Sequence, residues 1–215
     1  MQEVDIFMSN HEFKGRITSV QPRIRLLRSF DEATHSYLGY ALVLDGSVDD
    51  VALTFSIGIG QGTQAKHGLK VNDCISGRCV EVADPRIEPV EYYRVTGLHV
   101  LTVGEGGNAA EPWETIAPDL QVYRKRGCRR LAVRTYAAQC LSCIWGGRMP
   151  VEIIVDNWNP QAARLYRFET FCYGPLNCRH YKAGPERQVP GRKGATYIED
   201  DWVDAMHVEH RRPDE

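Results

Sequence analysis

The chain of 215 residues is 43% hydrophobic and 25% charged, with seven cysteines and a formal net charge of -2. These values are typical of a soluble globular protein and exclude a disordered, collagen-like or low-complexity chain. A chain of this length buries roughly 70% of its unfolded surface on folding, so its core does not depend on disulfides. We expect one large domain or two small ones.

The first 13 residues carry Glu3, Asp5 and Glu12 and have no apolar run, which is not the pattern of a secretory signal. Elsewhere, no apolar stretch approaches the ~20 residues that a membrane helix needs. The cysteines are odd in number and partly in close pairs, which favours metal or redox chemistry over a disulfide framework. We therefore expect a cytoplasmic protein that does not enter a membrane.

The first half of the chain reads as short β-strands separated by turns, with little helical periodicity. A glycine-rich turn is expected at 58–62. Five strands with turn signals favour a small closed β-barrel, because closure removes exposed strand edges. The predicted strands are 13–27, 36–44, 51–59, a turn-and-strand unit at 68–82, and 92–103.

The stretch GLKVNDCISG at 68–77 resembles a turn-and-strand element that is common in OB-fold barrels, with Asn72 where such elements usually have glycine. The resemblance implies an OB-like barrel over residues 1–105. A generic turn in another barrel or sandwich is the alternative. Glycines and prolines at 102–118 mark a connection, so we place a linker at 106–118.

After the linker, Cys140 and Cys143 are separated by two residues, and Cys172 and Cys178 follow 28 residues later with five between them. Two residues between cysteines in a tight turn let both sulfurs face one tetrahedral ion, and a second turn completes the shell. With predicted strands at 151–155 and 165–171, the pattern resembles a zinc ribbon over residues 119–190. The second spacing departs from that pattern, where two residues are typical.

Other roles for these cysteines stay open. An iron-sulfur cluster would use the same four thiolates, and buried core cysteines need no metal. A redox pair would sit where a strand meets a helix, whereas the sequence suggests strands on both sides, at 134–138 and 151–155. Cys128 and His180 are spare potential ligands. A closed zinc site has no open position for water, so it would be structural rather than catalytic.

The net charge conceals a strong asymmetry along the chain. Residues 121–194 carry 14 Lys and Arg against four acids, a net charge of +10, whereas 1–120 carry -7 and 195–215 carry -5. Arginine-rich segments suit phosphate recognition, since the guanidinium fork pairs with phosphate oxygens. The candidate nucleic-acid contacts are Arg124, Lys125, Arg126, Arg129, Arg130, Arg187, Arg192 and Lys193.

The acidic tail, 191–215, is expected to fold back on this basic segment or to begin a helix at Asp200, and the two outcomes are compatible. In sum, the sequence predicts a mainly β (β-rich α+β) protein with an OB-like barrel and a zinc-ribbon-like domain. Its expected partner is RNA or single-stranded DNA. The alternatives are a protein-protein adaptor, or an enzyme with a site at the domain junction that uses carboxylates of 199–204. The sequence contains no nucleophile elbow, zinc-protease histidine pair, P-loop or dinucleotide fingerprint.

Overall fold

The computed structural model describes residues 10–30, 32–104, 116–159, 161–162 and 164–214. The fold is mainly β, as the sequence predicts, and eight of its strands form one large mixed sheet. The strands are β1 (Asn10–Arg28), β2 (Ala33–Val48), β3 (Val51–Ile59), β4 (Cys74–Glu81), β5 (Tyr92–Thr102), β6 (Arg129–Arg130), β7 (Gly146–Ile154), β8 (Arg164–Cys172), β9 (Arg187–Pro190) and β10 (Thr196–Glu199).

The helices are short. They are α1 (Gln61–His67), α2 (Leu120–Arg126), α3 (Val133–Thr135), a π-helix (Tyr136–Cys140) that continues α3, a 3-10 turn (Arg192–Gly194) and α4 (Asp201–Val208). No helix in the described ranges is long and apolar enough to cross a membrane.

The sequence pattern places the five strands of the first half close to their observed bounds but misses α1. Two glycines expected to mark turns instead mark the ends of this helix. Gly60 is the N-terminal cap, and Gly68 ends the helix in the left-handed conformation, where its N–H donates to the Gln64 carbonyl. A glycine in this conformation is a common way to terminate a helix.

The first five strands form a hydrogen-bonded ring. Strand β1 pairs antiparallel with both β2 and β4. Strand β2 pairs antiparallel with β3, β3 meets β5 in parallel, and β5 returns antiparallel to β4. The order around the ring is therefore β1-β2-β3-β5-β4, with α1 in the connection from β3 to β4.

Strand β1 also pairs with a strand from the second half of the chain. Its last residues, Leu26–Arg28, pair in parallel with 151–153 of β7. Strand β8 pairs antiparallel with β7, and β6 with β8, while β9 and β10 form a separate two-stranded sheet. The long first strand therefore belongs to both the ring and the C-terminal sheet.

One buried hydrophobic cluster includes residues from both halves, among them Ile17 and Leu44 of the ring and Val151 and Tyr173 beyond it. Each large apolar side chain buried there contributes about 1.5–3 kcal/mol. The predicted linker at 106–118 lies outside the described residues up to 115. The division into a barrel, a linker, a ribbon and a tail therefore stays a prediction.

The prediction of a strand at 134–138 is wrong, because this segment is helical. The run from Arg134 to Ala138 lacks the period-two alternation of a half-buried strand, and its two alanines are strong helix formers. A π-helix is an uncommon insertion that often occurs at functional sites. Here it ends at Cys140, the first cysteine of the candidate metal centre.

Candidate metal centre and nucleic-acid interface

The turn from Cys140 to Cys143 follows the π-helix and is held against strand β1. The Cys143 N–H donates to the Cys140 carbonyl at 3.2 Å, which closes the turn. Two polar side chains of β1 hold this turn in place through hydrogen bonds. The Gln21 amide donates to the carbonyls of Cys140 and Cys143 at 2.7 and 3.0 Å, and the Ser19 hydroxyl donates to the Leu141 carbonyl at 2.6 Å.

The other end of the Gln21 side chain is also satisfied, since its carbonyl oxygen accepts from the Tyr136 hydroxyl at 2.7 Å. Both Ser19 and Gln21 are buried, where an unpaired polar group would cost about 1–3 kcal/mol. Sequence reasoning missed them, because their partners lie about 120 positions further along the chain. Strand β1 carries many other polar residues, so nothing local in the sequence distinguishes these two.

The second cysteine turn begins where β8 ends. Cys172 pairs with Gly146 in the β7–β8 register, which brings it beside the first turn. The Gly174 N–H donates to the Cys172 sulfur at 3.3 Å, and the Cys178 N–H donates to the Pro175 carbonyl at 3.2 Å. A backbone N–H aimed at sulfur favours the thiolate, the form that binds metal.

All four predicted ligands, Cys140, Cys143, Cys172 and Cys178, line one cavity of about 410 Å³. His180 lines the same cavity, whereas Cys128 lies in a different one. Within the described ranges, however, no three or more His, Cys, Asp or Glu side chains form a group that could hold a metal ion. The sulfurs thus share a cavity but do not converge on one point in this conformation.

Burial keeps the thiols of Cys140, Cys143 and Cys172 protonated when no cation is present. It raises the pKa of Cys140 to about 11 and the pKa of Cys143 to about 12. Burial also raises the pKa of Cys172, while the N–H of Gly174 and the nearby Arg129 oppose that shift. A nucleophilic cysteine needs a lowered pKa, so the cavity is not arranged for thiol catalysis. A bound divalent cation would reverse the balance, because a coordinating thiol is deprotonated outright.

The candidate nucleic-acid contacts divide into two groups. Arg124, Lys125, Arg192 and Lys193 are exposed, and Arg126 is half-buried with its guanidinium 4.4 Å from the Trp145 ring centroid. The remaining three, Arg129, Arg130 and Arg187, are buried.

The three buried arginines have internal partners and do not reach the surface. Arg130 pairs with Asp204 at 2.9 Å, and Arg187 pairs with Glu169 at 3.0 Å. Arg129 donates to the Pro175 carbonyl at 3.0 Å. These side chains make contacts within the fold, and their assignment as nucleic-acid contacts stays a prediction. A cation must be accessible to neutralise a phosphate.

The acidic tail folds back onto the molecule, and part of it forms helix α4. Glu199 pairs with the buried Arg28 at 2.8 Å, while Asp201 and Asp204 both pair with Arg130. The Asp200 carboxylate caps the helix by accepting from the Trp202 N–H. Because Glu199 and Asp204 are buried in ion pairs, they are not free to serve a catalytic site.

A cleft of about 770 Å³ lies between the ring and the C-terminal sheet. Its walls come from β2, β3, the connection between β4 and β5, and the second half of the chain. Arg148 and Phe168 form one edge, with the guanidinium carbon 3.9 Å from the ring centroid. Phe55 and Tyr136 also line the cleft.

Three carboxylates of the described residues line the cleft, of which Glu88 and Glu91 have partners within the fold and Glu81 is exposed at the end of β4. Glu88 pairs with Arg23 at 2.9 Å and with Arg25 at 2.8 Å. Glu91 accepts hydrogen bonds from the N–H and the hydroxyl of Ser56. The two arginines neutralise the charge of Glu88, which reduces part of the repulsion that a polyanion would meet there.

Comparison of the chain with protein-family models, with curated proteins and with solved structures finds no match.

Proposed function

We propose that this protein binds single-stranded nucleic acid in the cleft between the ring of strands and the C-terminal sheet. We propose in addition that the ring is an OB-type barrel and that the C-terminal sheet with its cysteine turns is a zinc-ribbon-like unit. The strand order β1-β2-β3-β5-β4 supports the first assignment, because OB folds are five-stranded Greek-key barrels.

The position of the cleft is the observation that carries the proposal. OB folds bind oligonucleotides on the face of strands 2 and 3, with help from the loop between strands 4 and 5. The cleft has this composition, since Val43 of β2, Thr54 of β3 and the connection at 82–91 all line it.

The chemistry of the cleft edge favours stacking over phosphate neutralisation. Arg148 is exposed and already lies over Phe168, so a base could stack on the guanidinium plane or on the ring. Base–aromatic stacking contributes about 1–3 kcal/mol per base and tolerates any sequence. We therefore expect binding without strong sequence preference and only with unpaired strands.

Fluorescence anisotropy with labelled single-stranded RNA and DNA tests this proposal. Phe168→Leu and Arg148→Ala should each weaken binding about tenfold, because each removes one stacking surface. The matched control is Arg164→Ala, which removes an exposed arginine paired with Glu152 outside the cleft. No binding at low salt, or equal losses in all three variants, would contradict the cleft as the site. Affinity that persists with duplex DNA would contradict the stacking mode.

We also propose that Cys140, Cys143, Cys172 and Cys178 hold one structural zinc ion. Their common cavity supports this, as do the closed turn at Cys140–Cys143 and the N–H aimed at Cys172. Rotation about χ1 moves a cysteine sulfur without moving the backbone, so binding requires no change of fold. His180 also lines this cavity.

Metal analysis of the purified protein tests the zinc proposal. We expect one zinc per chain in a colourless protein, lost in Cys143→Ser and retained in Cys79→Ser, a buried cysteine of β4 outside this cavity. A brown protein with visible absorption would indicate an iron-sulfur cluster instead of zinc. If the purified protein contains no metal, the zinc proposal is wrong and these residues are buried core cysteines. A protein partner in place of nucleic acid would become the better reading if metal is present but no strand binds.

A further inference from the structure

A second cavity, of about 390 Å³, lies on another part of the molecule, between strand β2, the end of α2 and helix α4. It falls within the 300–1,000 Å³ range of small-molecule sites. The sequence analysis did not find it, because its lining residues come from three distant parts of the chain.

The cavity is lined by cationic and imidazole side chains. Arg124 and Lys125 project from the end of α2, and His35, His207 and His210 complete the set. No carboxylate of the described residues lines the cavity, although the chain as a whole has a net charge of -2. Glu199 lies near enough to act on His35 but is paired with Arg28, so a concentration of donors with no carboxylate in the lining is an anion-binding arrangement.

Close backbone contact between the two helical segments creates this arrangement. Gly127 has a positive φ of 67°, and a Cβ added there would lie 2.3 Å from the His207 carbonyl oxygen. The Lys125 carbonyl also contacts the His210 ring nitrogen at 2.7 Å. The end of α2 and the end of α4 are therefore held side by side, so their basic residues face the same space.

His35 gives the cavity a polar group that the fold itself leaves unsatisfied. Its Nε2 is buried and has no hydrogen-bond partner among the described residues. Burial, and then the charges of His207 and Arg28, lower the pKa of His35 to about 4, with only Glu199 opposing. The ring is thus neutral at pH 7 and can donate one N–H to a ligand oxygen.

A cation near a helix C-terminus is favourable without any ligand, which accounts in part for Lys125 and His207. That explanation does not extend to His35, which lies on a strand. Arg124 also lies in the last turn of α2, so the dipole accounts in part for it as well, and its guanidinium carbon lies 4.9 Å from the Tyr37 ring centroid. Side chains from three elements therefore converge here, and the helix dipoles do not account for the contribution of strand β2.

We propose that this cavity binds a phosphate group. The Arg124 guanidinium offers the planar fork that matches phosphate oxygens, Lys125 adds a second charge, and the buried His35 ring supplies one further N–H donor. The remaining volume accommodates a small group esterified to the phosphate. This site is separate from the nucleic-acid cleft, and neither proposal depends on the other.

Titration with inorganic phosphate tests the site, with the His35 ring signals followed by NMR. We expect a saturable shift of these signals that persists when chloride is in excess. Arg124→Gln and Lys125→Gln should each weaken phosphate binding about tenfold, the loss expected for one charge-assisted contact. Both side chains are exposed, so neither substitution threatens folding. The matched control, Arg164→Gln, should bind phosphate as the wild type does.

Two further probes identify the source of the phosphate. A nucleoside monophosphate that binds more tightly than inorganic phosphate would indicate a small metabolite. A 5′-phosphorylated oligonucleotide that binds more tightly than its 5′-hydroxyl form, with the difference lost in Lys125→Gln, would indicate a strand end. The absence of a saturable shift, or equal affinity in Arg124→Gln, Lys125→Gln and the wild type, would overturn the proposal. Strand binding through Phe168 could still hold in that case.

Discussion

Arg130 is the residue whose replacement gives the sharpest test of how this fold is stabilised. Its side chain is only 1% exposed. The Nε donates to Asp204 at 2.9 Å, one Nη donates to the carbonyls of Pro185 and Glu199 at 3.1 Å each, and the other Nη donates to Asp201. The guanidinium therefore joins β6 to the acidic tail and to the segment before β9.

The four contacts do not contribute equally. The Asp201 side chain is 90% exposed, so its ion pair is screened by water and contributes at most about 1 kcal/mol. Asp204 is only 11% exposed, and in Arg130→Met its carboxylate would keep just one of its two contacts, the backbone N–H of residue 130. Removing one partner of a buried pair costs about 3–5 kcal/mol, and we expect a loss of this size.

Urea unfolding followed by tryptophan fluorescence measures the loss. Arg164→Met provides the control, because its exposed pair with Glu152 should change the free energy of unfolding by less than about 1 kcal/mol. The double variant Arg130→Met/Asp204→Leu should recover part of the loss, because no buried charge is left alone. If Arg130→Met costs no more than Arg164→Met, the reasoning from burial and pairing is wrong.

Three other positions give measurable outcomes. Because burial lowers the pKa of His35 to about 4, the unfolded chain binds a proton that the folded chain does not. The free energy of unfolding is therefore unaffected by His35 above pH 6.5 and falls by up to about 3 kcal/mol as the pH drops to 4. In His35→Gln this decline should be flatter when urea midpoints are measured across the same pH range. Gly127→Ala should destabilise the folded chain by about 2 kcal/mol or more, because the added Cβ would collide with the His207 carbonyl. Gly62→Ala is the control, since a Cβ there meets open space, and in thermal melts it should be neutral or stabilising. Gln21→Leu removes donors to two buried carbonyls and should cost about 2–3 kcal/mol by urea unfolding; a neutral effect would contradict its role in holding the cysteine turn.

The strands were predictable from the sequence because their signal is local. Alternation of apolar and polar residues, ended by glycine or aspartate, predicts the bounds of a strand such as β3 to within a few residues. Ring closure depends instead on contacts such as Ile57 with Tyr92, a single parallel pairing that no local pattern encodes. The parallel pairing of β1 with β7, which joins the two halves, is equally distant in sequence.

The candidate sites divide in the same way. The spacing of Cys140 and Cys143 indicates a tight turn, and the turn is present, but its support by Gln21 comes from a strand about 120 positions away. The arginines show this limit most clearly. Arg124 and Arg130 stand in one basic run, yet one is exposed and the other is buried against Asp204, 74 positions later. A count of charges along the sequence treats both as surface arginines, and only the tertiary contacts show that one of them is buried.

The burial of these arginines changes how nucleic-acid binding should depend on salt. The +10 of segment 121–194 counts three buried arginines, so it overstates the charge that a strand could meet. Arg148 is the single cation among the described residues that lines the cleft. For single strands the salt slope is about -0.7 per phosphate neutralised, so binding in the cleft through this one cation should show a slope of about -0.7. A much steeper slope, retained in Phe168→Leu, would place the strand on exposed cations outside the cleft, such as Arg192 and Lys193. The same anisotropy titration therefore decides between stacking in the cleft and phosphate contacts on the outer surface.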